Sequence, residues 1–193
     1  MIVLRPITFE LVFSFDLLWL FVLSGRAKGI KLLILDVDGV LTDGGIYFND
    51  DGVEHKKFDS QDGLGIKLLQ LSGIEVAVIT ARSTKSAAHR LDGLGVKHHY
   101  HGVLDKSIAL KDLTEQLSIS LSESAYVGDD IIDLPVMTKI ALPIAVANAQ
   151  DIVKDYALLV TEKRGGDGAV REVCNFILKS QNKYDDLIQT FIK

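Results

Sequence analysis

Two groups of carboxylates stand where strands should end. The segment DVDGVLTDG (36–44) follows the apolar run KLLILD (31–36) and places Asp36 and Asp38 one residue apart. As the chain leaves a strand, both side chains can turn into one crevice. Carboxylates that close repel each other unless a cation or a shared proton offsets the repulsion. GDDIIDLP (128–135) repeats the pattern after a second apolar run and offers Asp129, Asp130 and Asp133. Capping a helix N-terminus accounts for one such acid, whereas two acidic groups at separate strand ends point to a shared metal site. A hard ion such as Mg²⁺ favours carboxylate oxygens together with water and phosphate. Between the groups lie Thr80, whose hydroxyl can bond a phosphoryl oxygen, and Lys106, in the first turn of a helix starting near Asp105. A lysine there opposes the helix dipole, so a nearby anion explains it better than helix stability does.

These residues need a scaffold that brings strand ends together. Apolar runs recur at 31–36, 75–80, 96–101, 124–129, 143–147 and 157–161. Such near-continuous runs suit strands buried on both faces of a parallel sheet. Helical patterns at about 62–72, 83–93, 105–117, 130–139 and 168–180 alternate with them, with Ser72-Gly73 and Asp92-Gly93 as stops and Asp105 as an N-cap. The alternation predicts an α/β, Rossmann-like three-layer domain with a central parallel sheet. One segment breaks the rhythm. GIYFNDDGVEHKKF (45–58) reads as two short strands turning around Asn49–Gly52, a β-hairpin flap over the carboxyl edge of the sheet. Open α/β sheets bind their ligands at that edge.

Composition narrows the partners. The 193 residues carry 21 Lys+Arg against 26 Asp+Glu, a net charge of −5, which argues against nucleic acid. One cysteine, Cys174, excludes an intramolecular disulfide and suits a reducing compartment; its apolar helical neighbours make it a core residue. His98, His99 and His101 cluster, but strand alternation sends His98 and His99 to opposite faces, and no partner stands at zinc-ligand spacing. The stretch from Phe9 to Leu23, which includes Trp19, is strongly apolar. It is shorter than the roughly 20 residues of a membrane span and contains Asp16. Ahead of it stands only Arg5, and no A-x-A-like cleavage site follows. A helix docked on the domain or on a neighbouring subunit, an upstream extension and a weak membrane anchor are its three readings. The chain therefore divides into an amino-terminal extension (1–28), a catalytic domain (29–181) and a carboxyl-terminal tail (182–193). In the tail, Tyr184, Leu187, Ile188 and Phe191 form an apolar helical face that suits docking to the domain or subunit packing.

The order D-x-D, Thr, Lys, G-D-D-x-x-D resembles the haloacid dehalogenase-like superfamily of phosphotransferases over about residues 30–180. LLILDVDGVLTDG, DGLGIK (62–67), VITAR, AYVGDDIIDLPVM and GGDGAVREV more closely resemble the 3-deoxy-D-manno-octulosonate 8-phosphate phosphatase family. The resemblance implies a cytoplasmic, Mg²⁺-dependent homotetramer without a large cap, serving lipopolysaccharide precursor synthesis. It makes Asp36 the nucleophile, a role carboxylates perform by splitting one hydrolysis into two steps. Asp38 becomes the general acid and base, and Thr80 and Lys106 neutralise phosphoryl charge. The metal would rest on Asp36, the Asp38 backbone carbonyl and Asp129, supported by Asp130 or Asp133. Substrate contacts would come from Asp38, Lys106, the loop residues Asp59, Ser60, Gln61, Asp62 and Gly63, and from Lys67, Arg82 and Arg90. Arg82 and Arg90 are eight residues apart, which on one helix gives them a shared flank facing an anion. Gln61 stands where many relatives carry a basic residue and Ala81 where glycine is frequent, departures that bear on the fit of the substrate rather than on the chemistry. The glycine-rich GGDG (165–168) opens the last long helix, where it could cradle an anion, and Arg171 lies within reach of such a loop. Two further readings share this residue set: a phosphatase of another nonulosonate or sugar phosphate, and a non-catalytic regulatory or oligomerisation relative.

Overall fold

The computed structural model describes residues 22–192. The apolar stretch 9–23 therefore lies outside the described residues except for its last two. Helical residues 22–28 (α1) send Leu23 and Ala27 into the core, and Gln181 Nε2 ties them down by donating to the Ala27 and Ile30 carbonyls at 3.1 and 2.8 Å. Among the described residues, no helix is long and apolar enough to cross a membrane.

The sheet grows outward from β1 (Leu32–Leu35), whose four residues are all buried. It lacks a polar face because helices cover the sheet on both sides. β4 (Glu75–Ile79) and β6 (Ser124–Gly128) pair with β1 in parallel, Leu32 opposite both Glu75 and Ser124. Beyond them lie β5 (His98–Tyr100) on one side and β7 (Leu142–Ala145) then β8 (Leu159–Val160) on the other, giving the order β5-β4-β1-β6-β7-β8. Pro143 fits inside β7 because its carbonyl and its missing donor both face β8, at the level of Leu158, just before that strand begins. The reversal of strand order next to β1 opens the crevice at its carboxyl end. Over it stands the separate antiparallel hairpin of β2 (Tyr47–Phe48) and β3 (Glu54–His55), with Asn49 organising the turn through Val53 N–H at 2.8 Å.

The helices are α2 (Ser60–Leu71), α3 (Lys85–Gly93), α4 (Lys106–Leu117), α5 (Leu134–Met137), α6 (Asp151–Asp155), α7 (Ala169–Ser180) and α8 (Tyr184–Ile192). Asp59, Thr84 and Asp105 cap α2, α3 and α4 with their side chains. One expectation needs correction. The helix expected at 130–139 is a 3-10 turn (Ile131–Asp133) followed by the single α-helical turn of α5, because the Asp133 carboxylate folds back onto the backbone before it. α3 ends at Gly93, where the stop is expected, and Gly95, at φ +66°, supplies the left-handed residue after it. In α8, Tyr184 and Leu187 pack on the core while Phe191 stays exposed.

α7 has no side chain of its own to cap it, since Gly168 occupies the N-cap. Asp62 of α2 replaces that cap from across the interface, its Oδ1 accepting the Arg171 N–H at 2.7 Å. Burial, opposed by these helix N–H groups, leaves the Asp62 carboxyl raised to about 6. Gly65 lets α2 and α7 approach, because a Cβ there would lie 3.2 Å from both the Arg171 Cα and the Cys174 Cβ. We expect Asp62→Ala to lower unfolding stability by about 1–2 kcal/mol, as loss of an N-cap does. Asp62→Asn, which keeps an acceptor oxygen, should lose less. Urea denaturation of both variants checks this, and equal losses would remove the capping role.

Candidate active site

Each chemistry-bearing side chain stands at or just past a strand's carboxyl end. Asp36 leaves β1 while its N–H still bonds the Val127 carbonyl of β6 at 3.1 Å. Thr80 leaves β4 with its N–H on the Tyr100 carbonyl at 2.9 Å. Asp129 and Asp130 follow β6, and Lys106 opens α4.

The centre is held by one buried ammonium. Lys106 is fully buried, and its Nζ lies 2.9 Å from Asp36 Oδ1 and 2.7 Å from Asp133 Oδ1. It also donates to the Tyr126 hydroxyl at 3.1 Å, and Tyr126 donates to Asp133 Oδ1 at 2.6 Å. The anion anticipated beside this lysine is thus the protein's own pair of carboxylates. Burial opposes the Lys106 charge, but Asp36 and Asp133 outweigh it and hold the ammonium above its ordinary range. The second oxygen of Asp133 accepts the N–H groups of Asp129 and Asp130 at 2.8 and 3.2 Å, fixing the turn that carries both. A Cβ on Gly128 would stand 2.6 Å from that oxygen, so the turn needs glycine there.

Carboxylate oxygens of Asp36, Asp129 and Asp133 lie within 4.8 Å of one another, the one such group among the described residues. Burial raises Asp36 to about 7; Lys106 opposes the rise and Asp133 adds to it. Burial raises Asp129 to about 8, with Asp36, Asp133 and Asp130 adding to the rise. Crowded acids with pKa values near neutrality fit a divalent cation, which would restore the ionised forms. Asp130 turns instead to its own neighbour, accepting the Ile131 N–H at 2.7 Å.

The loop after β1 approaches its surroundings at backbone distance. Gly39, at φ +85°, leaves room for Asp129: a Cβ would lie 2.0 Å from Asp129 Oδ2. On its other side the GGDG loop packs directly, since a Cβ on Gly165 would fall 1.7 Å from the Gly39 carbonyl oxygen. Asn148 clamps the two loops, donating to Gly39 O at 3.1 Å and accepting from Gly165 N at 2.6 Å. The glycines of this loop are thus used for close contact with the loop after β1.

Asp36, Asp38, Thr80, Arg82 and Asp129 line one cleft of about 260 Å³. Arg82 precedes α3 rather than lying on it, so Arg82 and Arg90 do not share a helix flank. Arg90 covers Gly63 and donates to the Asp59 carbonyl at 3.3 Å. Asp59 and Gln61 line a separate cleft of about 350 Å³ with Lys163 and Arg171. Ser60 begins α2, Asp62 caps α7, and the Lys67 ammonium lies beside Gly95. Within this chain, then, the loop residues, Lys67 and Arg90 do not line the cleft that holds Asp36.

Four residues were not singled out from the sequence: Tyr126, Asn148, Glu54 and Lys56. The last two come from the hairpin. Lys56, whose side chain is 1% exposed, pairs with Asp38 Oδ1 and lies 3.0 Å from Glu54 Oε1, and Arg82 donates to Glu54 Oε2 at 2.8 Å. Lys56 and then Arg82 hold the Glu54 carboxyl below its usual range. The signal was present in the period-two spacing of Glu54 and Lys56, which puts both on one face of an extended segment.

Comparison with known proteins agrees with this geometry. Residues 100–173 match the haloacid dehalogenase-like hydrolase family. The chain is 50% identical over 161 residues to 3-deoxy-D-manno-octulosonate 8-phosphate phosphatase KdsC of Escherichia coli K12, covering 83% of this chain and 86% of that protein. Among solved structures, the same phosphatase from Yersinia pestis aligns with a TM-score of 0.84 at 45% identity, over 85% of this chain and 89% of the other. That from Moraxella catarrhalis, in complex with a magnesium ion, a phosphate ion and a KDO molecule, aligns at 0.85 and 46%, over 88% and 97%. With half its residues identical over most of both chains, and with its acids and lysine converging at the carboxyl edge of a parallel sheet, the chain belongs to the 3-deoxy-D-manno-octulosonate 8-phosphate phosphatase family of haloacid dehalogenase-like hydrolases.

Proposed function

We propose that the chain hydrolyses 3-deoxy-D-manno-octulosonate 8-phosphate to the free sugar acid and inorganic phosphate, as a Mg²⁺-dependent phosphomonoesterase. The observation that carries this is Asp36 in the cleft, gripped by Lys106 through one oxygen and faced by Asp129. Asp36 and Asp129, with the Asp38 backbone carbonyl, would hold the magnesium ion, which supplies charge neutralisation for the phosphoryl oxygens. Asp133 spends its oxygens on Lys106, Tyr126 and two N–H groups, so its part is to brace the site.

Asp36 attacks phosphorus while the bond to the sugar C8 oxygen breaks, giving an aspartyl phosphate and the sugar alcohol. Lys106 favours the ionised form of the nucleophile and offsets phosphoryl charge alongside the Thr80 hydroxyl. Asp38 donates the proton that the departing oxygen requires, then takes one from the water that cleaves the aspartyl phosphate. Its Oδ1 faces Lys56, whereas Oδ2 is buried without a hydrogen-bond partner and is the oxygen left for this exchange. Arg82 contributes positive charge for the sugar acid's carboxylate. Lys67, Arg90, Asp59, Ser60 and Gln61 belong to the substrate-binding set at the rim, where a neighbouring subunit brings them to a cleft that one chain leaves open.

That reading goes with a homotetramer. Ile46, Tyr47, Phe48 and Val53 expose an apolar face on the hairpin, the kind of surface that subunits cover. The enzyme works in the cytoplasm, in lipopolysaccharide precursor synthesis, without nucleic acid or membrane as partner. Residues 29–181 form its catalytic domain, with 1–28 and 182–193 as extensions.

Phosphate release from a panel of sugar phosphates tests the proposal. Turnover of the octulosonate 8-phosphate should require Mg²⁺ and fall at least about a thousandfold in Asp36→Asn. Equal turnover by that variant, or none by folded wild-type protein, would overturn it. The raised carboxyls of Asp36 and Asp129 give a second expectation. Groups whose folded pKa lies above the unfolded value stabilise the metal-free protein at low pH, and that contribution disappears as pH rises through about 7 to 8. Mg²⁺ competes with those protons, so the rise in Tm on adding it should be larger at about pH 8.5 than at about pH 6. A rise independent of pH would show that these acids do not hold the ion.

A further inference from the structure

The hairpin does more than stand above the cleft. Glu54 begins one of its strands with a side chain only 15% exposed, and both of its oxygens face cations. Oε2 accepts from Arg82 Nη2 at 2.8 Å, and Oε1 lies 3.0 Å from Lys56 Nζ, which in turn pairs with Asp38. Arg82, Glu54, Lys56 and Asp38 thus form a run of alternating basic and acidic side chains that passes through the hairpin and begins and ends at the cleft.

The ends of this chain of charges face the cleft, since both Arg82 and Asp38 line it. Glu54 does not. A guanidinium has five donors in one rigid plane. With one Nη2 N–H anchored on Glu54, the plane is fixed while the other Nη2 N–H and the N–H beside it remain as a fork for a second carboxylate. A free arginine on this exposed bend would have to give up its rotamer freedom each time a substrate arrived.

We propose that Glu54 is a positioning residue that sets the guanidinium of Arg82 for the carboxylate of the substrate, so that preference for carboxylated phosphate esters is built into the hairpin. The inference rests on the function proposed above and adds the residue on which its selectivity depends. A competing effect has the opposite sign: Glu54 also cancels part of the Arg82 charge, and removing it would leave two cations facing each other. Orientation outweighs neutralisation if the anchored plane is what the carboxylate reads.

The experiment compares kcat/KM for octulosonate 8-phosphate with that for phenyl phosphate, which has no carboxylate, in wild type, Glu54→Gln, Glu54→Ala, Arg82→Ala and the Glu54→Ala/Arg82→Ala double variant. The ratio between substrates cancels whatever Lys56 and Asp38 lose in common. Glu54→Ala should lower the ratio about tenfold, through the KM of the sugar acid, with Glu54→Gln intermediate because it keeps an acceptor for Arg82. In the Arg82→Ala background the further loss of Glu54 should leave the ratio unchanged, the signature of two groups acting as one. An unchanged or increased ratio in Glu54→Ala overturns the inference, as does a loss that persists without Arg82. A wild-type enzyme indifferent to the carboxylate would instead overturn the substrate reading, and this inference with it.

Discussion

Burying a lysine is costly unless its charge is answered inside the protein, and here two carboxylates answer it. Lys106 bridges Asp36 on the strand-end loop of β1 and Asp133 on the turn after β6, with the Tyr126 hydroxyl completing its set. The bridge fixes the distance between the two acidic loops. Asp133, held on one oxygen by Lys106 and Tyr126, uses the other to pin the N–H groups of Asp129 and Asp130. The orientation of Asp129 therefore depends on a lysine it does not touch. One ammonium does not answer three clustered carboxyl groups: Asp36 and Asp129 hold their protons up to about pH 7 and 8, and a divalent cation would displace them.

The surroundings hold the loop that bears Asp36 and Asp38 from every side at short range. Gly39 admits the Asp129 carboxylate, Gly165 lies on the Gly39 carbonyl, and Asn148 stitches the two loops together. Such contacts leave no space for a Cβ, so rigidity is obtained from backbone packing. The hairpin is tied in by charge, through Lys56 to Asp38 and through Glu54 to Arg82. Asp38 and Arg82, both in the cleft, are thereby joined through the hairpin's charged side chains.

Much of this arrangement was legible in the sequence, because its signals are local. LLIL is a buried parallel strand on sight, and the acids and Thr80 follow apolar runs as ligand-site residues do in open α/β sheets. Asp105 capped the expected helix. What escaped depends on distance. The run 130–139 has helical composition, but the Asp133 side chain turns its first residues into a 3-10 turn by bonding backward. GGDG resembles an anion cradle until the Gly39 carbonyl is found in contact with it. Asp62 reads as a loop acid near a substrate and serves as the cap of a helix more than a hundred residues away, a partnership that no spacing rule encodes. Lys56 and Glu54 lie in a hairpin rich in charged residues, and the burial of Lys56 against Asp38, 18 residues away, is set by the fold and not by local spacing.

The central claim is that the Lys106 ammonium favours the ionised form of Asp36 against burial. The direct measurement is the pH titration of the Asp36 carboxyl carbon by ¹³C NMR in metal-free protein, in wild type and in Lys106→Met. The account predicts a wild-type midpoint raised to about 7 by burial and by Asp133, and a still higher midpoint once the opposing ammonium is removed. A midpoint in the ordinary carboxylate range in both proteins, or one that does not move on losing Lys106, would contradict it.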